Sequence, residues 1–285
     1  MNKFAIYTAI VGKYDNILQP LVTGEGFDFI LFSNDIKDKQ IGVWKVRSIP
    51  YHNDIQTKVA RWVKTHPEDL LSEYEYTIWM DANIQINDSF VYNRIIQLTE
   101  SQSLISSMWH HERDCIYEEA IELLSRGMEH ERIVYKWISQ LKKRHYIHHN
   151  GLCETNVLFR ANQSSSIHEL DSLWWEIIDS FSKRDQLSFN YLLWRKKMAC
   201  PYFLTKGENT RNSSHFNYNY HNITPPVIQP NKFDDPFIYY YSANHTQPSY
   251  HLLKKLHKIL FCLPFSFWHL KLIGVIYRVK RKICK

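Results

Sequence analysis

Short apolar runs alternate with amphipathic segments along most of this chain. The predicted strands cover residues 4–11, 27–32, 44–49, 74–80, 103–109, 154–160 and 237–242. The predicted helices cover residues 55–65, 67–72, 88–99, 114–126, 129–144, 164–181 and 186–196, and Asn53 or Asp54 is the expected N-cap of the first. Residues 205–235 show little periodicity and are predicted to form a long loop. Strands that alternate with helices in this way predict an α/β fold with a mostly parallel central sheet.

Asp81 stands where one of these apolar strands leaves the predicted core. A carboxylate cannot remain in the core without a partner, and the C-terminal end of a buried strand is where open α/β sheets bind their ligands. After Asp81, Ile84 and Ile86 resume an alternating pattern, with Asn83 and Gln85 between them. The alternative is an ordinary aspartate that caps the turn after the strand.

Composition places the chain among globular proteins of a reducing compartment. It has 285 residues, 44% of them hydrophobic, and only 8 glycines, which excludes disordered and collagen-like classes. Its five cysteines include no CxxC pair, so neither a disulfide scaffold nor a zinc ribbon is expected. The N-terminal apolar stretch is short and lacks a cleavage site of small residues, so it is predicted to be the first strand and not a signal peptide.

Basic charge is concentrated in the last 34 residues. Residues 252–285 carry nine lysines and arginines and no acid, so with a net charge of +6 for the whole chain, residues 1–251 carry −3. The body is therefore not a nucleic-acid binder. We expect a main domain over 1–250 and an amphipathic helical tail over 251–285 that lies on anionic lipid. A membrane span, or packing of the tail against the body, are the alternatives.

Charged side chains gather at the predicted element boundaries. Lys58, Arg61 and Arg184 are candidate ligands for an anionic diphosphate. Transfer of a sugar to a hydroxyl needs a general base, for which Asp or Glu is the usual choice. The alternatives are a solvated helix face for Lys58, Arg61 and Lys64, and helix N-caps for Asp114 and Asp185. The chain has no HExxH, GxSxG, P-loop or GxGxxG motif, which disfavours metalloprotease, hydrolase, NTPase and dehydrogenase functions.

Several blocks, taken in order, resemble the glycosyltransferase-like family catalogued as domain of unknown function 616. The similarity spans roughly residues 4–195, and Arg184-Asp185-Gln186-Leu187-Ser188-Phe189 is its most specific block. The others are Tyr7-Thr8-Ala9-Ile10-Val11-Gly12-Lys13-Tyr14-Asp15, Phe32-Ser33-Asn34-Asp35, Arg61 with Lys64-Thr65-His66-Pro67, Ile78-Trp79-Met80-Asp81-Ala82-Asn83, Arg113-Asp114-Cys115-Ile116-Tyr117-Glu118-Glu119-Ala120 and Gly151-Leu152-Cys153-Glu154. The resemblance implies a GT-A-like, Rossmann-type α/β/α sandwich that binds a nucleotide sugar.

The same resemblance implies roles for individual residues. Asp81 would take the first position of an Asp-x-Asp motif and is the tentative ligand of Mn²⁺ or Mg²⁺. Asn83 stands at the third position, and its amide binds a hard cation more weakly than a carboxylate does. Asp185 would be the catalytic base, with Glu154 as second choice. The implied donor-binding residues are Thr8, Asp35, Lys58, Arg61, Asp81, Asn83, Arg113 and Arg184.

The expected function is therefore a glycosyltransferase that acts on a glycan or glycolipid acceptor in surface polysaccharide or lipopolysaccharide biosynthesis. Its expected location is the cytoplasmic face of the cell membrane. Two alternatives remain open: a non-catalytic membrane-associated module that binds nucleotide sugars or glycans, and a metal-dependent hydrolase.

Overall fold

The computed structural model describes residues 2–221, which form two units. The first unit holds residues 2–114 and 151–221, and the second holds residues 115–150. The predicted strand at 237–242 and the predicted tail at 251–285 lie outside the described residues.

The described elements follow the predicted order closely. The strands are β1 (Phe4–Ala9), β2 (Phe27–Phe32), β3 (Gln40–Ile41), β4 (Trp44–Arg47), β5 (Tyr76–Met80), β6 (Ile84–Ile86), β7 (Ile105–Trp109), β8 (Cys153–Ala161) and β9 (Phe216–Tyr218). The helices are α1 (Gln56–Lys64), α2 (Pro67–Leu70), α3 (Phe90–Glu100), α4 (Ile116–Ser125), α5 (Glu131–Lys143), α6 (Ser165–Ser180) and α7 (Gln186–Lys196). Helices α4 and α5 make up the second unit.

Seven of the described strands form one sheet in the order β3-β4-β2-β1-β5-β8-β7. Strands β4, β2, β1, β5 and β7 run in one direction, and β3 and β8 run against them. The prediction of a mostly parallel sheet is thus confirmed. Strands β6 and β9 pair separately as an antiparallel ribbon.

Helices cover both faces of this sheet. Successive side chains of a strand point to opposite faces, so consecutive residues within β1, and within β5, pack against different helix layers. Ile6 and Ile78 pack in a buried cluster with Val91 of α3. On the other face, the ammonium group of Lys64 from α1 lies 5.5 Å from the ring centre of Trp79. The same group lies 5.6 Å from the ring centre of Trp174 in α6. These layers make the α/β/α sandwich.

Two local predictions need correction, and one short strand was not predicted. Ile55, and neither Asn53 nor Asp54, is the N-cap of α1, because Asn53 instead accepts a hydrogen bond from the Ile55 amide in a local turn. Strand β3 has only two residues and is too short to leave a periodic pattern. Strand β9 lies within the predicted loop at 205–235, where pairing with β6 and burial of Phe216 decide its conformation.

An irregularity in β8 interrupts its pairing with β7. Leu158 pairs with Ser107, but the next pair joins Met108 to Glu154, so residues 155–157 have no partner on β7. Bulges of this kind re-aim side chains and are common next to functional sites. The Ser107 hydroxyl lies 2.7 Å from the carbonyl oxygen of Glu154 and 3.2 Å from that of Val157. This hydroxyl therefore holds the two ends of the bulge.

Among the described helices, none has both the length and the apolar composition that crossing a bilayer requires.

Replacing Ser107 by alanine should lower the free energy of unfolding by about 1–2 kcal/mol, because buried carbonyl oxygens lose a donor. Its neighbour Ser106 is the matched control, since its buried hydroxyl has no hydrogen-bond partner among the described residues. Ser106→Ala should change the free energy of unfolding by less than about 0.5 kcal/mol. Urea denaturation of both variants measures this difference, and equal losses would contradict the role given to Ser107.

Candidate active site

Four strand ends meet at one edge of the sheet. The strands β1, β5 and β7 end at this edge, whereas β8 begins there because it runs in the opposite direction. The pairing of Met80 with Val157, and of Trp109 with Cys153, fixes their alignment. The residues that follow β5 and β7 are thus brought beside the first residues of β8.

Asp81 lies at this edge with part of its side chain open to solvent. Its Oδ1 accepts a hydrogen bond of 2.7 Å from the Trp79 indole and lies 4.0 Å from Nη1 of Arg61. Its amide donates to the carbonyl oxygen of Asn156 in the bulge, at 2.8 Å. Asn83 is buried, and its side-chain nitrogen donates to the carbonyl oxygen of Asn219 at 2.7 Å. Asp81 is thus the accessible member of the Asp81-Ala82-Asn83 sequence.

Asp185 is the centre of a buried charge network. Its Oδ2 lies 2.5 Å from the Lys64 ammonium and accepts a hydrogen bond of 2.8 Å from the Thr155 hydroxyl. Its Oδ1 lies 3.3 Å from Nε of Arg61. Asp185 is the N-cap residue of α7 by position, but its side chain makes no capping hydrogen bond. The predicted capping role therefore does not describe this residue.

The charges of this network shift one another's protonation. Burial alone would raise the pKa of Asp185, but Arg61 and Lys64 hold it well below its usual range. Burial lowers the pKa of Lys64 to about 8, against the opposing effect of Asp185. Lys64 is fully buried, so the alternative that it belongs to a solvated face of α1 is wrong for this residue.

Glu154 forms a second charged group on the other side of the bulge. Its Oε1 lies 2.5 Å from Nδ1 of His111, and its Oε2 forms a close ion pair with Arg211 and accepts a hydrogen bond of 3.0 Å from Asn156. Burial would raise the pKa of Glu154, but His111 and Arg211 lower it to about 2. Glu154 is therefore a buried carboxylate that is ionised at neutral pH.

A small cleft lies beside Asp81. Its lining is mainly apolar and includes Ile10, Leu31, Trp44 and Met80, together with Thr8, Asn16, Ile17, Leu18, Asp81, Ala82 and Ile84. The Thr8 hydroxyl is buried and has no hydrogen-bond partner among the described residues. Such a group can bond to a ligand that enters the cleft.

Of the residues predicted from the sequence, the structure brings together Arg61, Asp81 and Asp185, with Thr8 in the adjoining cleft. The Tyr14 hydroxyl is influenced by both Arg184 and Arg61. Burial and Asp15 raise the pKa of Tyr14, and the two arginines oppose that rise.

The other residues that were predicted to bind the nucleotide-sugar donor contact protein groups in the structure. Lys58 contacts the carboxylate and the carbonyl oxygen of Asp179 at 2.8 and 2.7 Å. Asp35 accepts the Gly12 amide at 2.6 Å, and Arg113 pairs with Glu112 at 2.7 Å. Their donor-binding roles stay predictions.

Comparison with known proteins gives the family of this chain. The family described as "TOD1/MUCI70, glycosyltransferase-like domain" matches residues 1–214. The chain belongs to this family. No curated protein matches the chain. Among solved structures, the apo form of the bifunctional glycosyltransferase WbbM is similar, with a TM-score of 0.41 and 6% identity. The similarity covers 70% of this chain and 38% of that one.

In this TOD1/MUCI70 domain, two groups of described side chains contain residue types that can bind a metal ion. At Asp81, one carboxylate with Arg61 nearby offers a hard cation few oxygen ligands, so its role as a metal ligand stays a prediction. The ligand atoms of His110, His111 and Glu154 lie within 4.8 Å of one another. However, Nδ1 of His110 accepts the amides of Glu112 and Arg113, which leaves the ring proton on Nε2 and no lone pair for a metal. Both oxygens of Glu154 are also engaged, so this second group does not fit a cation.

Sequence reasoning missed several residues of the site. Lys64 was visible in the pattern of α1, but nothing in that pattern distinguished a buried lysine from a solvated one. Thr155 and Arg211 gave no signal, because a threonine in a strand and an arginine in an aperiodic segment are ordinary. His111 follows β7 as Asp81 follows β5, and this shared position was the one available clue.

The low pKa of Glu154 predicts an acid-dependent contribution to stability. A carboxylate whose pKa falls from 4.5 to about 2 on folding stabilises the protein above pH 4.5, and this stabilisation is lost as the pH falls towards about 2. Glu154→Gln should therefore lower the free energy of unfolding by about 2–3 kcal/mol near pH 7 and by much less near pH 3.

Urea denaturation at the two pH values tests this expectation, with Glu25→Gln as a control at an exposed position. A loss for Glu154→Gln that is the same at both pH values would contradict the assigned ionisation.

Proposed function

We propose that this protein is a glycosyltransferase that transfers a sugar from a nucleotide-sugar donor. Membership of the TOD1/MUCI70 glycosyltransferase-like family supports glycosyl transfer. The observation that carries the donor class is the position of Arg61, between Asp81 and Asp185 and beside the cleft that Thr8 lines. A mainly apolar cleft next to a fixed guanidinium group suits a nucleoside that carries a diphosphate.

In this proposal the two halves of the donor meet different surfaces. The nucleoside occupies the cleft, where the Thr8 hydroxyl finds a partner. Arg61 and Arg184 face the diphosphate, whose negative charge increases as the sugar leaves. Asp81 would bind a ribose hydroxyl, or would hold Mn²⁺ or Mg²⁺, which would supply further positive charge to the departing diphosphate.

The chemical step is a displacement at the anomeric carbon. The acceptor oxygen forms a bond to that carbon, the bond between the carbon and the diphosphate oxygen breaks, and its electron pair leaves with the diphosphate. Meanwhile the acceptor hydroxyl loses its proton to a base. Asp185, the predicted base, lies deep in the network with both oxygens engaged.

For the acceptor we propose a glycan or lipid-linked glycan of a bacterial surface polysaccharide, lipopolysaccharide or capsule. The support for this proposal is the segment at 252–285, whose nine cations alternate with apolar residues. Such a segment suits attachment to anionic headgroups on the inner face of the cell membrane.

One observation favours a second candidate, a non-catalytic module that binds nucleotide sugars. The residue at the third motif position is Asn83, whose amide nitrogen is committed to the Asn219 carbonyl oxygen. A domain that binds a donor without turning it over has no need of a strong metal site. The hydrolase alternative loses support because the His110, His111 and Glu154 group does not fit a metal ion.

Binding of the donor tests the proposal directly. The full chain is titrated by calorimetry with uridine, guanosine and cytidine diphosphates and their nucleotide sugars, in Mn²⁺ and in chelator. We expect one nucleotide series to bind, and Asp81→Asn to weaken that binding at least tenfold, or about 1.4 kcal/mol. The asparagine keeps an oxygen for the Trp79 indole, so the fold is retained.

The exposed Asp69, in α2, provides the matched control, and Asp69→Asn should bind the same nucleotide normally. Lack of binding by the wild type under both conditions, or unchanged affinity in Asp81→Asn, would contradict the proposed donor site. Loss of binding in chelator alone would assign a metal to Asp81.

A further inference from the structure

The contact between His111 and Glu154 fixes one histidine ring at the site edge. Nδ1 of His111 lies 2.5 Å from Oε1 of Glu154. Since Glu154 is ionised and can only accept, Nδ1 carries the proton that joins them. The lone pair of the neutral ring is then on Nε2. The His111 side chain is 30% exposed, whereas that of Glu154 is 2% exposed, so the ring and not the carboxylate can meet a substrate.

The contacts of Glu154 hold its carboxylate in a position that orients the His111 ring. Its second oxygen takes Arg211 and the Asn156 amide, and its own carbonyl oxygen accepts the Ser107 hydroxyl. A buried carboxylate that bonds Nδ1 of a histidine stabilises the imidazolium form and sets the ring orientation, as the third member of a catalytic triad does.

The ring stands at a suitable place relative to the donor site. His111 follows β7, Asp81 follows β5, and β8 lies between these strands. Two strand spacings, about 10 Å, therefore separate the two strand ends. That distance accommodates a sugar ring and an attacking hydroxyl between the diphosphate site and the histidine.

We propose that His111 is the proton acceptor for the attacking hydroxyl and that Glu154 is its positioning residue, an inference that rests on the proposed glycosyl transfer. As the acceptor oxygen bonds to the anomeric carbon, its proton passes to Nε2 of His111. The sugar–diphosphate bond breaks, and its electron pair leaves on the diphosphate oxygen. The imidazolium is stabilised by Glu154, and the proton later returns to solvent.

Other groups around His111 are compatible with this role. Oε1 of Glu112 lies 3.6 Å from Nε2 of His111, and Oε2 of the same carboxylate pairs with Arg113 at 2.7 Å. The His110 ring stacks on His111 at 4.9 Å. Arg211 reaches Glu154 from the segment before β9, and its guanidinium carbon lies 4.4 Å from the centre of the Tyr218 ring. The charged and titratable neighbours are thus His110, Glu112, Glu154 and Arg211.

The test compares pH profiles of turnover. Release of nucleoside diphosphate from the nucleotide sugars of the binding screen is measured with water, and with p-nitrophenyl glycosides, as acceptors. We expect His111→Gln to reduce kcat at least a hundredfold and to remove the acid limb of the profile, with nucleotide affinity within twofold of wild type. Glu154→Gln should reduce kcat less, because the His111 ring keeps Nε2 but loses the carboxylate that orients it.

The exposed His52 gives a matched control, and His52→Gln should leave both the rate and the profile unchanged. A readout without turnover is the downfield proton resonance of the Nδ1–H bond to a carboxylate. It should be present in the wild type and absent in His111→Gln.

The outcomes separate the two proposals. If nucleotides bind but His111→Gln keeps its rate and its acid limb, the role of His111 is overturned and glycosyl transfer stands. If Asp185→Asn, and not His111→Gln, removes the acid limb, Asp185 is the base. If the wild type binds nucleotides but releases no diphosphate from any donor, both proposals fail and the binding module is favoured. Absence of the downfield resonance in the wild type would overturn the pairing of His111 with Glu154.

Discussion

The bulge in β8 is the constraint on which the described site depends. It gives the three residues after Glu154 no partner on β7, so consecutive side chains can bond to different groups. Thr155 bonds to Asp185, and Asn156 bonds to Glu154 while its carbonyl oxygen accepts the Asp81 amide. Thr155 contacts one side of the strand, and Glu154 and Asn156 contact the other, as the alternation of side chains along a strand predicts. The Ser107 hydroxyl holds the irregular backbone in place.

Alternating charges extend from this bulge into the core. Asp81, Arg61, Asp185 and Lys64 follow one another through ion pairs. The carbonyl oxygen of Lys64 then accepts bonds from Tyr7 and Arg160, and the buried Arg160 pairs with Asp171 at 2.9 Å. Buried ion pairs add little net stability, but removal of one partner is costly. These ion pairs fix the Arg61 side chain next to Asp81. The proposed recognition of a diphosphate requires a guanidinium group that is fixed in this way.

The two buried carboxylates of the site have different surroundings and therefore different capacities. Asp185 is neutralised by Lys64 and Arg61, and its side chain is 6% exposed. Glu154 reaches the surface through the His111 ring. In the proposed mechanism the two groups have separate roles: the Asp185 group would fix charge for the donor, and the Glu154 group would position the histidine that takes the proton of the acceptor.

The sequence by itself determined the order of the elements, the α/β class and the position of Asp81. It could do so because buried strands and amphipathic helices leave periodic patterns, and because a charged residue at a strand end interrupts them. It also pointed to Arg61 and Asp185 through the family resemblance. Only the tertiary structure decided that Lys64 is buried, that Asp185 is an ion-pair partner, and that His111 meets Glu154. These contacts join residues that are 43 to 121 positions apart, and they depend on burial and on a bulge that has no sequence signature. Local sequence patterns encode neither the distant contacts nor the burial.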